Sequence, residues 1–419
     1  IYNMKVWILQ TGEPIHSDKG NPRPQRGINL SDTLIAKGHK VILWTSAFSH
    51  SGKYHRSLKY KVIKINSNLE IRLIPSSGYN KHVGLARLVD HFQLGWNLKK
   101  VLKNEKDKPD IVFIGYPPIE TAAVMSKWLL KKNIPAILDF IDLWPSMYVE
   151  AFPKIFHPLA RIIFEPYFYL SKRTVKDVTA VTSTAPAFLK WVLNFAKKDL
   201  GKFDKVFRLT SPQGKVSHDE LVLANEWWIL KGLEKNKPVI FFVGTFMSVY
   251  DFKPVVAAAK KLKNVQFVLC GDGYYLNSVK KLMKNLNNVL FPGWIDRPKI
   301  VSLANRSIAS LAPYKNIDNY TINIPNKIVD ALILGLPILS PLRGEVENMI
   351  KKYQVGFTYD EKNDLSTCIQ TLIKDKKIQE QLSRNVKKLY NSEYEFNKVY
   401  NEMVDHLEEI SKNYKSKIK

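Results

Sequence analysis

The sequence predicts an α/β protein built from two doubly wound parallel sheets, and three observations point there. At 419 residues the chain is too long for one ordinary hydrophobic core. Short apolar runs alternate with segments of helical periodicity, as successive strand–helix–strand units require. Between residues 202 and 236 the alternation weakens around Pro212, Gly214 and a charged segment, and a second series then begins. The expected domains are therefore 4–205 and 206–385, with 386–419 as a terminal helical segment.

In the first domain MKVWILQT, from Met4, reads as a strand, followed by a long polar loop from Gly12 to Arg26. Spacing from Ile28 to Lys37 predicts an amphipathic helix that Gly38 ends. Strands follow at HKVILWTS from His39, IRLIPSS from Ile71, DIVFIGYPP from Asp110, PAILDFIDLWP from Pro135 and VTAVTSTAPAF from Val178. Ligands of such sheets bind beyond the carboxyl ends of the strands. That directs attention to loops 12–26, 115–118, 139–145 and 183–186. Asp139 lies within a mostly apolar run, where an ionised carboxylate needs a hydrogen-bond partner.

The second series has strands at PVIFFVGTF from Pro238, VQFVLCGDG from Val265, VLFPGWIDRPKI from Val289 and IASLAPY from Ile308. The stretch IPNKIVDALILGLPILSPLRGEVENMI, from Ile324 to Ile350, organises this domain. Pro325 suits a helix start, and Val329, Leu332 and Ile333 recur at helical spacing until Gly335 and Pro337 stop the helix. Pro337 to Ser340 is a short buried strand, and Arg343-Gly344-Glu345 is the turn after it. Lys327 and Asp330 share one face of the helix's first turn, where backbone N–H groups also point outward. An ammonium there suits a phosphate, and a carboxylate one turn on suits a sugar diol. A core helix carrying two solvated charges would show the same pattern. From Lys374 onward the chain reads as lysine-rich helix, with Tyr400, Met403, Val404, Leu407 and Ile410 as its apolar stripe.

Composition narrows the class. At 45% apolar and 24% charged residues the chain is globular, and two cysteines, Cys270 and Cys368, point to a reducing compartment. Ile1 to Asn3 precede Met4, the expected natural start, and the first apolar stretch, Lys5 to Gln10, is too short for a secretory signal. No run reaches the roughly 18–20 apolar residues that span a bilayer. A soluble or surface-attached protein is expected. The net charge of +26 and pI near 9.7 fit nucleic acid, an anionic membrane or anionic small substrates. Lysine-rich genomic composition would produce the same balance. His16, His39, His50 and His55 show no metal-ligand spacing.

Several of these motifs occur in a familiar order. PNKIVDALILGLPIL…GE resembles the nucleotide-binding signature of family 4 glycosyltransferases of GT-B fold. LQTGEP…PRPQRGINLSDTLIAKGHKVILWTSAFSH, from Leu9 to His50, looks like the subgroup that builds bacterial surface polysaccharides. DLWP (Asp142 to Pro145), VGTF (Val243 to Phe246), CGDG (Cys270 to Gly273) and GWIDR (Gly293 to Arg297) follow in the order the family implies. The resemblance implies two Rossmann-like domains facing a cleft, with the C-terminal helix crossing back to the first. The amino domain would bind acceptor and the carboxy domain donor. It also implies sugar transfer from a nucleotide diphosphate with retention of configuration and no essential metal; no Asp-x-Asp motif is present. Charge building on the leaving diphosphate would be met by lysine, arginine and helix N-termini.

The resemblance carries over unevenly. Asp330 matches the acidic residue that binds the ribose hydroxyls, with Asp replacing the commoner Glu. The family's partner Glu falls at Ile322, which has no carboxylate, and Asn323, Asn326 or Lys327 stand in as candidates. The family's Arg and Lys fall near Thr245 and Tyr250 and are also absent. Lys327, Lys253, Arg297 and Arg343 remain as basic candidates for the diphosphate, Lys327 first. Gly244, Thr245, Gly271, Asp272, Gly273, Gly344 and Glu345 complete the expected donor set, with Trp294 framing the base or lying in the core. From the amino domain, Gly20, Asn21 and Arg23 would approach the diphosphate, while Arg26 either joins them or caps a helix in water. Asp142 sits near the donor sugar or caps the next helix. The expected catalytic residues are Asp142, Lys327 and Arg343.

Two basic, aromatic stretches, from His82 and from Phe152, read either as lipid-facing or as ordinary helices on the sheet. Together these features predict a hexosyltransferase using a UDP-linked N-acetylated or deoxy sugar and a polyprenyl-diphosphate-linked saccharide. It would sit on the cytoplasmic face of the plasma membrane, without nucleic acid. A UDP-N-acetylglucosamine 2-epimerase-like enzyme and a basic nucleic-acid-binding protein are the alternatives.

Overall fold

The computed structural model describes residues 3–20, 22–81 and 84–418. The chain forms two compact units: residues up to Ser211 together with those from Asn397, and Pro212–Phe396. The first unit carries eight strands: β1 Lys5–Leu9, β2 Lys40–Ser46, β3 Lys61–Lys64, β4 Leu69–Ile74, β5 Ile111–Tyr116, β6 Ala136–Phe140, β7 Ala180–Ser183 and β8 Lys205–Val206. Their order is β3-β4-β2-β1-β5-β6-β7-β8, parallel throughout except for the antiparallel pair β3–β4. The central strands are buried on both faces, which is why they read as continuous apolar runs.

β3 was not expected from the sequence. Its residues, Lys-Val-Ile-Lys, are almost wholly exposed, so no alternating burial marks them. It forms by pairing with β4 through a turn in which Asn66 Oδ1 accepts from Asn68 N at 2.8 Å. Lysines at both ends suit an open sheet edge.

The expected helix at 28–37 runs Arg26–Ala36, and its start is organised by buried charge. Glu13, at the carboxyl end of β1, accepts from Gly27 N at 2.7 Å and from Gln10 Nε2 at 2.8 Å. Arg26 is 3% exposed, which excludes the water-facing cap. Its Nε meets Asp139 Oδ2 at 2.7 Å, and Nη2 donates to Phe207 O at 3.2 Å. Thr182 Oγ1 donates to Asp139 Oδ1 at 2.6 Å, so the carboxylate inside the apolar run has its partners.

The second unit carries six parallel strands: β9 Val239–Val243, β10 Gln266–Cys270, β11 Val289–Gly293, β12 Ser307–Leu311, β13 Ile338–Ser340 and β14 Gly356–Thr358. Their order, β11-β10-β9-β12-β13-β14, is that of a dinucleotide-binding sheet. Against a boundary expected at 385/386, helix Lys376–Leu389 and the following π turn Tyr390–Tyr394 stay with this unit. Tyr390 and Tyr394 are buried there, Tyr353 hydroxyl hydrogen-bonds Glu393, and Tyr394 hydroxyl reaches Met349 Sδ at 3.8 Å. Only helix Phe396–Ile418 joins the first unit. Its Tyr400, Met403, Val404, Leu407 and Ile410 are buried, and it makes polar contacts from Lys37 to Asp405 (2.6 Å) and His39 to Glu408 (3.1 Å).

Two expectations follow. Asp139→Ala leaves the Arg26 guanidinium buried without its carboxylate, which should cost about 3–5 kcal/mol in urea unfolding. Burial pushes Glu13 up from 4.5 to about 7, against the pull of Gly27 N–H and Arg26. The folded state therefore favours the protonated form. Its stabilising contribution is complete below about pH 4.5 and is lost as pH rises through about 7, on the order of 3 kcal/mol in all. Glu13→Gln should flatten that part of the stability–pH curve, measured by unfolding at about pH 5 and above pH 7.

Candidate functional site

The order of strands across the second sheet reverses between β9 and β12, and the loops after these strands are joined. Lys315 N donates to Val249 O and Asp251 N to Pro313 O, both at 2.8 Å, while Tyr250 and Tyr314 form an antiparallel bridge. Ligands of doubly wound sheets bind at such a switch point.

Lys327 stands there. Helix Asn326–Leu334 begins after Pro325, whose extended backbone receives the chain without a side-chain cap. The Lys327 ammonium hydrogen-bonds Val243 O at the end of β9. It lies 4.3 Å from the Phe242 ring centre and 5.5 Å from that of Tyr250. Gly244 makes the approach possible, since a Cβ there would lie 1.8 Å from Lys327 Nζ. Asp330, one turn on, is half-buried and acts electrostatically on Tyr250 and Tyr314. Burial pushes Tyr250 up to about 12 and Tyr314 well above 10, so both keep their hydroxyl protons.

A second helix N-terminus is built close by. Gly344 precedes helix Glu345–Tyr353 with φ 71°, and a Cβ on it would lie 2.1 Å from Thr321 O. Asn316 ties the two segments, accepting from Arg343 N at 2.7 Å and donating to Pro341 O at 2.9 Å. Helix N-termini without side-chain caps present N–H donors and positive potential to an anion.

The other expected donor residues gather at the same rim. Gly244 and exposed Thr245 follow β9; Gly271, Asp272 and Gly273 follow β10; Trp294 follows β11; Gly344 and Glu345 follow β13. Trp294 is 76% exposed, so the core reading of that residue is excluded. Asn326 is exposed, and Asp272 accepts from Gly273 N at 2.7 Å. Arg297 Nε donates to Gly214 O at 3.1 Å, and Lys253 is exposed at the start of its helix. Arg343 is engaged by two carboxylates, Glu347 at 2.9 Å and Asp360 at 2.7 Å.

Residues expected from the amino domain lie in the first unit. Gly20 and Arg23 are exposed in the loop after β1, where Arg23 Nη2 donates to Ser211 Oγ at 2.8 Å. Asn21 lies outside the described residues. Asp142 is half-buried after β6, and the N-cap of the next helix, Ser146–Glu150, is Pro145. Sequence reasoning missed the tyrosines beside Lys327 and Asp330. Tyr250–Tyr314 and Tyr314–Tyr320 ring centres are 4.8 and 4.7 Å apart. Their only signal was position, each following a strand of the second sheet.

The first unit also exposes apolar surface. Leu85, Val89, Phe92 and Trp96 form one face of helix Leu85–Lys103, between 50% and 79% exposed. Lys99 and Lys100 lie 5.5 and 5.7 Å from the Trp96 ring. Ile155, Phe156, Leu159, Ile162 and Ile163 are likewise exposed, beside Lys154 and Arg161. The two stretches connect through His91–Trp144, Trp144–Tyr148 and Tyr148–Phe164, at 5.7, 4.7 and 4.8 Å between ring centres. Among the described residues no helix is long and apolar enough to cross a membrane, and no cluster of three His, Cys, Asp or Glu could hold a metal.

Residues 229–389 match the family model of the glycosyl transferases group 1, a stretch of the second unit that includes Gly244, Lys327, Asp330 and Glu345. No curated protein sequence matches the chain. Among solved structures the chain is similar to a sucrose-phosphate synthase from Thermosynechococcus elongatus, with TM-score 0.70 and 14% identity over 97% of this chain and 98% of that one. It is similar to Anabaena HepE in complex with UDP and glucose, with TM-score 0.65 and 14% identity over 97% and 100%. It also resembles WaaG, a glycosyltransferase involved in lipopolysaccharide biosynthesis, with TM-score 0.62 and 13% identity over 96% and 99%. The fold is therefore GT-B, with two Rossmann-like units and a C-terminal helix. A glycosyltransferase is the class that this fold and the matched domain support.

Gly244→Ala should displace the Lys327 ammonium. The expected cost is about 1–3 kcal/mol in urea unfolding. Gly20→Ala, where a Cβ meets nothing within 4 Å despite φ 84°, should cost less.

Proposed function

We propose that the protein is a retaining, metal-independent hexosyltransferase of family 4, acting in surface polysaccharide biosynthesis. It takes a UDP-linked N-acetylated or deoxy sugar and a polyprenyl-diphosphate-linked saccharide. The observation that carries the donor half is the pairing of Lys327 and Asp330 on one helix turn at the sheet's switch point, with Gly244 clearing space for the ammonium. HepE, of like fold, is known with UDP bound, and WaaG with a role in lipopolysaccharide biosynthesis; both support this reading by analogy.

The chemistry follows from charge. The C1–O bond to the diphosphate breaks, and its electron pair stays on the departing phosphate oxygen. The acceptor hydroxyl oxygen bonds to C1 on the same face and gives its proton to that phosphate. Lys327 and the two helix N-termini offset the growing negative charge, which loosens the bond before attack is complete. Asp330 holds the ribose hydroxyls and Trp294 lies against the base. Attachment to the inner face of the plasma membrane is supported by the exposed apolar faces at 85–96 and 155–163 with their flanking cations.

Thermal unfolding with UDP, GDP, CDP, dTDP and ADP, each without metal, tests the donor site. UDP at about 100 times its Kd should add about 2.7 kcal/mol of stability, with no shift from the others. Asp330→Ala should weaken UDP about 10- to 100-fold. Lys327→Ala should lower kcat about 100-fold or more. Absence of a shift with every diphosphate would remove the donor assignment. Release of free 2-epimerised sugar without acceptor would favour the epimerase reading instead. For attachment, the protein should float with phosphatidylglycerol vesicles and be released by salt. Combined Ile155→Ser, Leu159→Ser and Ile162→Ser substitutions should abolish flotation without changing the UDP shift.

A further inference from the structure

Helix Ile119–Lys132, which follows β5, carries Glu120 in its first turn, and that side chain is only 8% exposed. Helix Leu85–Lys103 packs so closely on it that a Cβ on Gly95 would lie 2.9 Å from Glu120 Cβ. Among the described residues neither Glu120 carboxyl oxygen meets a hydrogen-bond partner of normal geometry, nor does the buried hydroxyl of Tyr148. Burial therefore pushes Glu120 up from 4.5 to about 7, against the weaker pull of the Tyr167 hydroxyl and Arg87 and with the help of Asp90. Arg87 is committed elsewhere, 5.0 Å over the Trp144 ring and with Nε 3.4 Å from His91 Nε2. Asp90 accepts from Gly78 N at 2.6 Å. The Tyr116 hydroxyl is held by Ser171 Oγ at 2.7 Å and donates to Trp144 O at 3.3 Å. Burial keeps Tyr116, Tyr148 and Tyr167 protonated and holds His91 down at about 3, so none of these changes charge near neutral pH.

What lies over Glu120 is a weakly held segment. No residue of helix Ser146–Glu150 or of the 3-10 turn Lys154–Phe156 is buried, and in helix His157–Ile163 only Ala160 is. Tyr148 is the segment's peg. Its ring lies 4.7, 4.8 and 5.3 Å from those of Trp144, Phe164 and Tyr167, and its hydroxyl ends beside Glu120. Arg161 adds one more hold, its guanidinium carbon 3.2 Å from the Phe168 ring centre. Segments with so few buried contacts open locally at low cost. A neutral carboxyl group tolerates the dry site under Tyr148, whereas a carboxylate there lacks both water and partner.

We propose that Ser146–Ile163 is a flap that Glu120 releases on ionising: the proton passes to water, Tyr148 withdraws, and the carboxylate becomes hydrated. The sign follows from the direction of the shift. Closure is favoured while Glu120 is protonated, and that advantage is lost as pH rises through about 7. The device stands whether or not the donor and acceptor assignments do.

The test is amide hydrogen exchange of the full chain, read on peptides covering 146–163 and corrected for the intrinsic pH dependence of exchange. With the Glu120 carboxyl group near 7 when covered and near 4.5 when hydrated, the open state should be about tenfold more populated at about pH 8 than at about pH 6. Glu120→Gln, which keeps the shape and cannot ionise, should stay closed at both. Glu13→Gln removes the other carboxyl group that ionises near pH 7, in a different part of the unit, and should leave the tenfold change in place. Circular dichroism melts identify a variant that fails to fold. If Glu120→Gln does, Tyr148→Ala carries the test, since removing the peg should open the flap at both pH values and erase the difference. Equal protection of the wild type at both pH values would overturn the proposal, as would a loosening spread evenly over both units. A tenfold change that persists in Glu120→Gln would overturn it too, and would move the titration to His157, whose Nε2 lies 3.0 Å from Phe152 O inside the segment.

Discussion

In a parallel sheet every strand must be followed by a crossover, so all strands leave the sheet at one rim. Loops and helix N-termini collect there, and both units of this protein are organised by that constraint. In the second unit it brings Gly244, Gly271, Trp294 and Gly344 to one end, although they are spread over about a hundred residues of chain. The helix carrying Lys327 and Asp330 starts at the same end, because it returns from β12 toward the beginning of β13. An anionic ligand would meet backbone donors and an ammonium together, in a place that no single segment creates.

The first unit meets the same constraint with buried charge. The loop after β1 must turn into helix Arg26–Ala36 while β6 ends nearby. Arg26, Asp139, Glu13 and Thr182 join these elements by ionic and hydrogen-bonded contacts where apolar packing alone would leave backbone groups unmatched. The helix Phe396–Ile418 covers this region, with Asn29 Nδ2 donating to the Tyr400 hydroxyl at 3.3 Å. Charges that are costly to bury singly become tolerable as a set. The two units thus rest on different physics: close backbone approach in the second, a buried polar network in the first.

The family match falls wholly in the second unit, where glycine positions are dictated by close contact and leave a readable pattern. In the first unit the distinguishing features are an exposed apolar track and cations held around Tyr79. Those are properties of surface and of spacing between distant loops.

The sequence by itself determined the alternating α/β architecture and its two-unit division, because apolar periodicity follows directly from burial. It also singled out Lys327 with Asp330, because a helix start punctuated by Pro325 and Gly335 fixes which residues share the first turn. Tertiary structure alone decided the rest. Arg26 and Asp139 are 113 positions apart, and nothing local reveals that one neutralises the other. β3 became a strand only by pairing, and residues 386–396 stayed with the second unit because Tyr390 and Tyr394 find their burial there. Trp294 reads the same whether core or surface, until the fold places it in water. Local pattern records what a residue does for its own helix or strand; partners distant in the chain are chosen by packing, which leaves no local mark.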